Sequence, residues 1–305
     1  MRLYIAGLYT SNFNLASKPF ARLDERERQA RLGVSHILES YHYVSRQTAV
    51  DAMRRDKVKV FLDSGAFSAY TKGVQMDIAA YCNYIHENED IIEVASVLDG
   101  IGDPRLTWEN QQTMESRGTK PLPCFHYGED ERYLEHYISR YEYITLGGMV
   151  PIDKTVLIDW LDRLWDRYLT DGSGRPRLKV HGFGLTTANL MHRYPWYSID
   201  SSSWVQQAAN GNVVITDYTS KAKVIYLPVS TSSPKRHDEN AHLDTFTDIE
   251  REALVDHVTR SGFDMKRLQE MWESRWAYNC GSYDSLGKRL TDADRSFNAI
   301  QGSLY

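Results

Sequence analysis

The chain has 305 residues, 42% of them hydrophobic and 25% charged, with a formal net charge of −5. That length suits one large globular domain or a barrel with an appendage, and the acidic balance excludes a strong overall field for nucleic acid, so a polyanion partner needs a local basic surface. No apolar run approaches the roughly 18 residues of a membrane span, and the apolar part of the opening "MRLYIAGLYT" is too short for a secretory signal.

In chain order, the apolar run "RLYIAG" (2–7) reads as a first strand and the charged, amphipathic "LDERERQARL" (23–32) as a helix. "VSHILES" (34–40) is a second strand before the helix "RQTAVDAMRRD" (46–56), and "KVFLDSG" (59–65) a third before "QMDIAAYCNYIHEN" (75–88). "IEVASVLD" (92–99) leads to "RLTWENQQTMESRG" (105–118), and "LPCFHYG" (122–128) to "DERYLEHYISRY" (130–141). "YEYITLGG" (141–148) precedes "DKTVLIDWLDRLWDRYL" (153–169), whose Val156, Leu157, Trp160, Leu161, Leu164, Trp165 and Tyr168 recur at helical spacing, as core packing does. "LKVHGFG" (178–184) and "WYSIDSS" (196–202) are the last two runs, followed by the helices "TTANLMHRY" (186–194) and "SWVQQAAN" (203–210). Thr187 suits an N-cap and Gly211 a stop.

The eight strand runs are apolar on both parities and rich in Val, Ile and Tyr, as strands of a buried parallel sheet are. Eight strand–helix units over residues 1–210 predict an α/β fold, a (β/α)8 TIM barrel. The alternative, an open doubly wound sheet, calls for a Gly-rich phosphate turn after the first strand, and "AGLYTSN" (6–12) is not one. Residues 211–305 form a C-terminal extension: a hairpin in 212–230, a loop (231–242) and amphipathic helices at 247–262 and 264–279. The cysteines, Cys82, Cys124 and Cys280, are dispersed and odd in number, which points to a reducing compartment, the cytoplasm. No CxxC pair and no paired histidines near a cysteine suggest structural zinc, so no metal is expected.

Barrel enzymes build their sites at the C-terminal ends of the strands. There the third strand ends at Asp63, the fourth at Asp99 and the eighth at Asp200. The fifth ends at His126 and Tyr127, the sixth at Gly147 and Gly148, and the seventh at His181 and Gly182. Each aspartate alone is explained by a cap or a turn, and His181 alone by a satisfied core histidine. Three carboxylates at one apolar mouth repel each other and lose hydration, which a fold does not require. Two such groups suit substitution at an anomeric carbon, one attacking and one handling the proton. A third can accept from the ring NH and amino group of a guanine-like base, and paired glycines let a flat base approach backbone amides.

These residues resemble the tRNA-guanine transglycosylase-like superfamily. "DSGAF" (63–67) is similar to its "DSGGFQ" motif, "LGG" (146–148) to its "IGGL"-type turn and "HGFG" (181–184) to "MGVG". Asp200 resembles its nucleophile and Asp99 its base-reading aspartate, and the order agrees over residues 1–210. The family's zinc motif is missing, "CFHYG" (124–128) replaces a glutamine-containing strand, and "SIDSSSW" (198–204) departs from "FDCVxPTR". In these departures the chain looks more like the phage and bacterial DNA 7-deazaguanine transglycosylases, which exchange guanine in DNA for a base such as 7-cyano-7-deazaguanine. The resemblance implies a pentosyltransferase of the bacterial or phage-infected cytoplasm, with DNA and a free 7-deazaguanine as partners and no cofactor. Asp200 would be the nucleophile and Asp63 the proton carrier. Asp99, Ser64, Gly65, His126, Gly147, Gly148, Met149, His181 and Gly182 would line the base pocket, with Phe67, Phe125 or Tyr127 sandwiching the ring. Lys221, Lys223, Lys235 and Arg236 would contact the DNA backbone, against the plain reading of a solvated surface. The alternatives are the same chemistry on tRNA, a non-catalytic nucleic-acid-binding barrel, and an unrelated barrel hydrolase of small glycosides.

Overall fold

The computed structural model describes residues 1–150, 152–185, 187–216, 224–291 and 297. Every expected strand is present: β1 (Arg2–Ala6), β2 (Ile37–Ser40), β3 (Val60–Asp63), β4 (Ile92–Ala95), β5 (Cys124–His126), β6 (Tyr143–Gly147), β7 (Lys179–Gly182) and β8 (Ser198–Ser201). They form one parallel sheet in the order β4-β3-β2-β1-β8-β7-β6-β5. Chain neighbours are sheet neighbours except β4 and β5, which form the two edges, and β1 pairs with β8, a sequential order that excludes the doubly wound alternative.

The sheet curls. β3 and β7 lie four strands apart in that order, which in a flat sheet means about 19 Å at about 4.8 Å per strand. Yet the rings of Phe61 and His181 are 4.5 Å apart, and those of Phe61 and Phe183 are 5.8 Å apart. The inward side chains Tyr4, Ala6, Leu38 and Phe61 make a cluster of their own with Val94, Leu122 and Phe183. The edges approach through a parallel bridge between Ser96 and Leu122, with bonds from Leu122 N to the Ala95 carbonyl (2.8 Å) and from Val97 N to the Leu122 carbonyl (3.0 Å). The architecture is compatible with a TIM-like fold.

A helix follows each strand: Glu25–Leu32, Gln47–Arg55, Ile78–Glu87, Pro104–Ser116, Glu131–Arg140, Lys154–Leu164, Ala188–Arg193 and Ser203–Ala209. Several are started by an aspartate accepting backbone amides: Asp24, which forms a capping box with Glu27, then Asp77, Asp103, Asp130 and Asp153. The helical layer meets the outward strand faces in the main core, where Leu3, Ile5, Leu62, Phe125, Ile144, Val180 and Ile199 are buried. The helix from Lys154 ends in a wider turn, Trp165–Leu169, which buries both Trp165 and Leu169.

In the extension, β9 (Asn212–Ile215) and β10 (Ile225–Pro228) form the expected antiparallel hairpin. The expected helix at 264–279 is instead two, Met265–Glu270 and Trp272–Thr291. The break at the extended Met271 frees carbonyls that the Arg275 guanidinium takes, those of Leu268 (2.8 Å) and Gln269 (3.4 Å). The long helix joins the main core through Ala277, Cys280, Tyr283, Leu286 and Leu290. It also covers β1: a Cβ on Gly287 would lie 2.8 Å from that of Leu3. No helix among the described residues is long and apolar enough to cross a membrane.

Candidate active site

None of the three strand-end aspartates caps a main helix. Asp77 starts the helix Ile78–Glu87 after β3 and Asp103 starts Pro104–Ser116 after β4, while the helix after β8 has Ser202 at its N-cap with no side-chain bond. Capping therefore does not account for Asp99 or Asp200, whereas Asp63 also orders the turn into the short helix Ala66–Thr71, whose N-cap is Gly65.

Asp63 leaves β3 on a tight turn, where its Oδ2 accepts the Gly65 amide (2.9 Å) and the Ser64 amide donates to Ser96 Oγ (3.1 Å). Gly65 has φ of +76°, and a Cβ there would lie 2.2 Å from Ser40 Oγ and 2.6 Å from His42 Cβ. Its role is close packing of the turn on β2. Burial, then the charges of Asp99 and Asp200, push the Asp63 carboxyl up to about 7 against the pull of the Ser64 and Gly65 amides. Both charges act on the same carboxyl, so the three aspartates share one electrostatic neighbourhood.

Asp200 is buried in β8, and its Oδ1 accepts the amide of Gly184 (2.8 Å), a glycine at φ +66° beyond β7. His181 Nε2 lies 3.4 Å from the same oxygen, too poorly aligned for a hydrogen bond. The His181 Nδ1 meets Ser198 Oγ at 2.7 Å, and Ser198 Oγ meets Tyr143 Oη at 2.6 Å. Burial lowers the His181 pKa although Asp200 opposes it, so the ring is neutral. Ser198 Oγ thus bridges Tyr143 Oη and His181 Nδ1 and fixes the ring with Nε2 on the Asp200 side. Sequence reasoning missed Tyr143, Ser198 and Gly184. Ser198 and Asp200 alternate on one strand, a period-two signal that was open to reading.

Asp99 follows β4 in a loop tied down by Asn110 Nδ2 on the Leu98 carbonyl (2.7 Å) and by the Gly100 amide on Thr107 Oγ1 (3.0 Å). Its Oδ1 lies 3.6 Å from His126 Nε2. Glu129 grips His126 twice, accepting from the backbone amide at 3.0 Å and meeting Nδ1 at 2.9 Å. His126 Nε2 also meets Cys124 Sγ at 3.4 Å. Burial opposes a charge on His126, but the pull of Cys124 and Asp99 outweighs it and holds the ring above the usual histidine range. Burial pushes the Cys124 thiol up to about 11, so at neutral pH it is no thiolate and the charge on His126 answers to Asp99. Asp99, Cys124 and His126 bring ligand-type atoms within 4.8 Å of one another, a cluster with a single histidine that the expectation from CxxC pairs and paired histidines passed over. The overlooked signal was Cys-x-His within a strand, which puts both side chains on one face.

The remaining expected residues divide. Phe67 is 66% exposed beside the turn. Phe125 is fully buried against Trp160 (6.1 Å between stacked rings), and Tyr127 packs edge-on to the same ring at 5.3 Å. Both face the helical layer, so the expected sandwich by either of them is corrected: with Cys124 and His126 inward, alternation turns their neighbours outward. Gly147 does open space inside, since a Cβ there would lie 2.8 Å from His126 Cδ2 and 3.0 Å from Cys124 Sγ. Gly148 turns at φ +70°, and the Met149 side chain is buried. Gly182 makes room for Leu185 and Trp196, a packing role. Lys221 and Lys223 lie outside the described residues. Lys235 is exposed, and Arg236 is partly exposed and paired with Asp244 at 2.7 Å.

The chain matches no family model and no curated protein.

Proposed function

We propose that this chain is a base-exchanging pentosyltransferase that replaces guanine in DNA by a free 7-deazaguanine through a covalent aspartyl–sugar intermediate. We take the curled sheet to be a closed (β/α)8 TIM barrel, its seam the Ser96–Leu122 bridge, with the site at its mouth. The observation that carries the reading is the pairing of two carboxylates in different settings, half-buried Asp63 and buried Asp200. Asp63, pushed up to about 7, is poised to give and take a proton near neutrality. Asp200, its Oδ1 held by the Gly184 amide and its carboxylate beside His181, is positioned as the attacking partner.

A guanine nucleotide turned out of the stack enters the mouth. An Asp200 oxygen attacks the anomeric carbon, the bond from that carbon to the base nitrogen breaks with its electron pair leaving on guanine, and protonated Asp63 supplies the proton. The incoming 7-deazaguanine gives its ring-nitrogen proton to ionised Asp63. That nitrogen then attacks the anomeric carbon and displaces Asp200. One glycosidic bond replaces another, so no energy source is consumed. Asp99 supplies the acceptor for the base edge, and the Gly147–Gly148 turn lets the ring approach the backbone.

The test offers labelled guanine to purified protein with duplex DNA, single-stranded DNA and tRNA. Incorporation into DNA alone supports the proposal, and incorporation into tRNA alone moves the chemistry to the alternative polymer. Asp200→Ala must abolish incorporation. An adduct trapped on Asp63 instead would reverse the two roles.

A further inference from the structure

We propose that Asp99, Cys124 and His126 form a three-ligand site for a divalent transition-metal ion of the zinc class. Zinc–ligand distances of about 2.3 Å to sulfur and about 2.0–2.2 Å to nitrogen or oxygen at tetrahedral angles separate ligand atoms by about 3.3–3.6 Å. Here Cys124 Sγ and His126 Nε2 are 3.4 Å apart, and His126 Nε2 and Asp99 Oδ1 are 3.6 Å apart. Both separations from His126 fit a ligand shell, and Cys124 and Asp99 lie within 4.8 Å of each other.

Four further features fit a metal better than a thiol–imidazole contact alone. Asp99 Oδ1 is buried and has no hydrogen-bond partner among the described residues. Glu129 holds Nδ1, so that release of the Nε2 proton on metal binding would turn a lone pair toward the cluster, the carboxylate–histidine arrangement that supports metal-bound imidazole. Cys124 and His126 stand two apart on β5, so the strand itself fixes their relative position. Gly147 keeps the adjacent wall free of a side chain that would press on both. One sulfur, one nitrogen and one oxygen favour zinc-class ions over magnesium or calcium, and three ligands leave a fourth position for water or substrate.

The site does not depend on the base-exchange reading. Should both hold, Asp99 still has a second carboxylate oxygen for a base edge.

The experiment uses the full untagged chain, stripped with chelator and dialysed against zinc or cobalt(II). Bound metal is measured by plasma mass spectrometry, and the cobalt form by absorption. One equivalent of zinc is expected, and the cobalt form should show a thiolate-to-cobalt charge-transfer band with intense tetrahedral d–d absorption. Cys124→Ser should remove the charge-transfer band, and Glu129→Gln should weaken binding about 10–100-fold. Asp200→Ala should leave both signals unchanged while abolishing guanine incorporation, which separates this proposal from the exchange reading. Circular dichroism confirms that each variant is folded, and His126→Gln, which keeps the bulk of the ring's neighbourhood, replaces any that is not. Substoichiometric zinc in the folded wild-type chain, or a cobalt spectrum that Cys124→Ser leaves intact, overturns the site.

Discussion

Replacing Asp63 by Asn removes a charge that the folded chain carries at a cost. The carboxyl ionises near 3.8 in an unfolded chain and at about 7 in this fold. Between those values the folded state binds the extra proton, so stability falls as pH rises across the window and the full cost is present above about pH 7. The gap of about 3 units, at 1.36 kcal/mol each, is about 4 kcal/mol as an upper limit. Asn keeps a side-chain oxygen for the Gly65 amide, so the turn is preserved. Urea denaturation of wild type and Asp63→Asn from pH 4 to 8 measures the difference. The variant is expected to gain up to about 4 kcal/mol above pH 7 and progressively less toward pH 4, while losing guanine exchange. Glu39 is itself pushed up to about 7 by burial and slopes the wild-type curve in the same sense, but it is common to both proteins and cancels. A variant less stable than wild type at pH 8, or a difference that does not change with pH, would refute the reasoning.

The exchange rate of the wild type should fall as pH rises through about 7, because Asp63 then lacks the proton that the leaving guanine takes, and a pH–rate profile of labelled-guanine incorporation reads this directly. Ser198→Ala leaves Tyr143 Oη and His181 Nδ1 without the hydroxyl between them and should cost about 1–3 kcal/mol in denaturant unfolding, with a fall in exchange as the His181 ring beside Asp200 is released. Gly65→Ala meets both a positive φ and the Ser40 hydroxyl, so a loss of about 2–4 kcal/mol should appear as a lower melting temperature. Trp160→Ala removes the ring under Phe125 and Tyr127 and should cost about 3–5 kcal/mol without touching the mouth, so exchange by the protein that remains folded should persist.

The eight strands were legible because burial on both faces leaves runs apolar at every position, and the "DSG" turn marks its own strand end. The same property hid the orientation of β5. In "CFHY" nothing in the apolar pattern says whether Cys124 and His126 or Phe125 and Tyr127 face inward, and the ring stack on Trp160 decides it. The role of Asp63 was readable only in part, since a cap and a catalytic carboxylate have the same sequence signature. The structure shows the turn bond to Gly65 together with the raised carboxyl, and neither could be read from the sequence. The interruption at Met271 was hidden because local propensity runs through it, and the stabilising Arg275 contacts depend on tertiary placement.

The last long helix, Trp272–Thr291, lies on the outer face of β1, with Gly287 against Leu3. A chain emerging from the ribosome therefore makes its first strand long before the cover for that strand exists. Until the helix docks, Leu3 and Ile5 stay open to chaperones or to aggregation. A nascent chain stalled near residue 270 should remain protease-sensitive at its start, however complete the strands between.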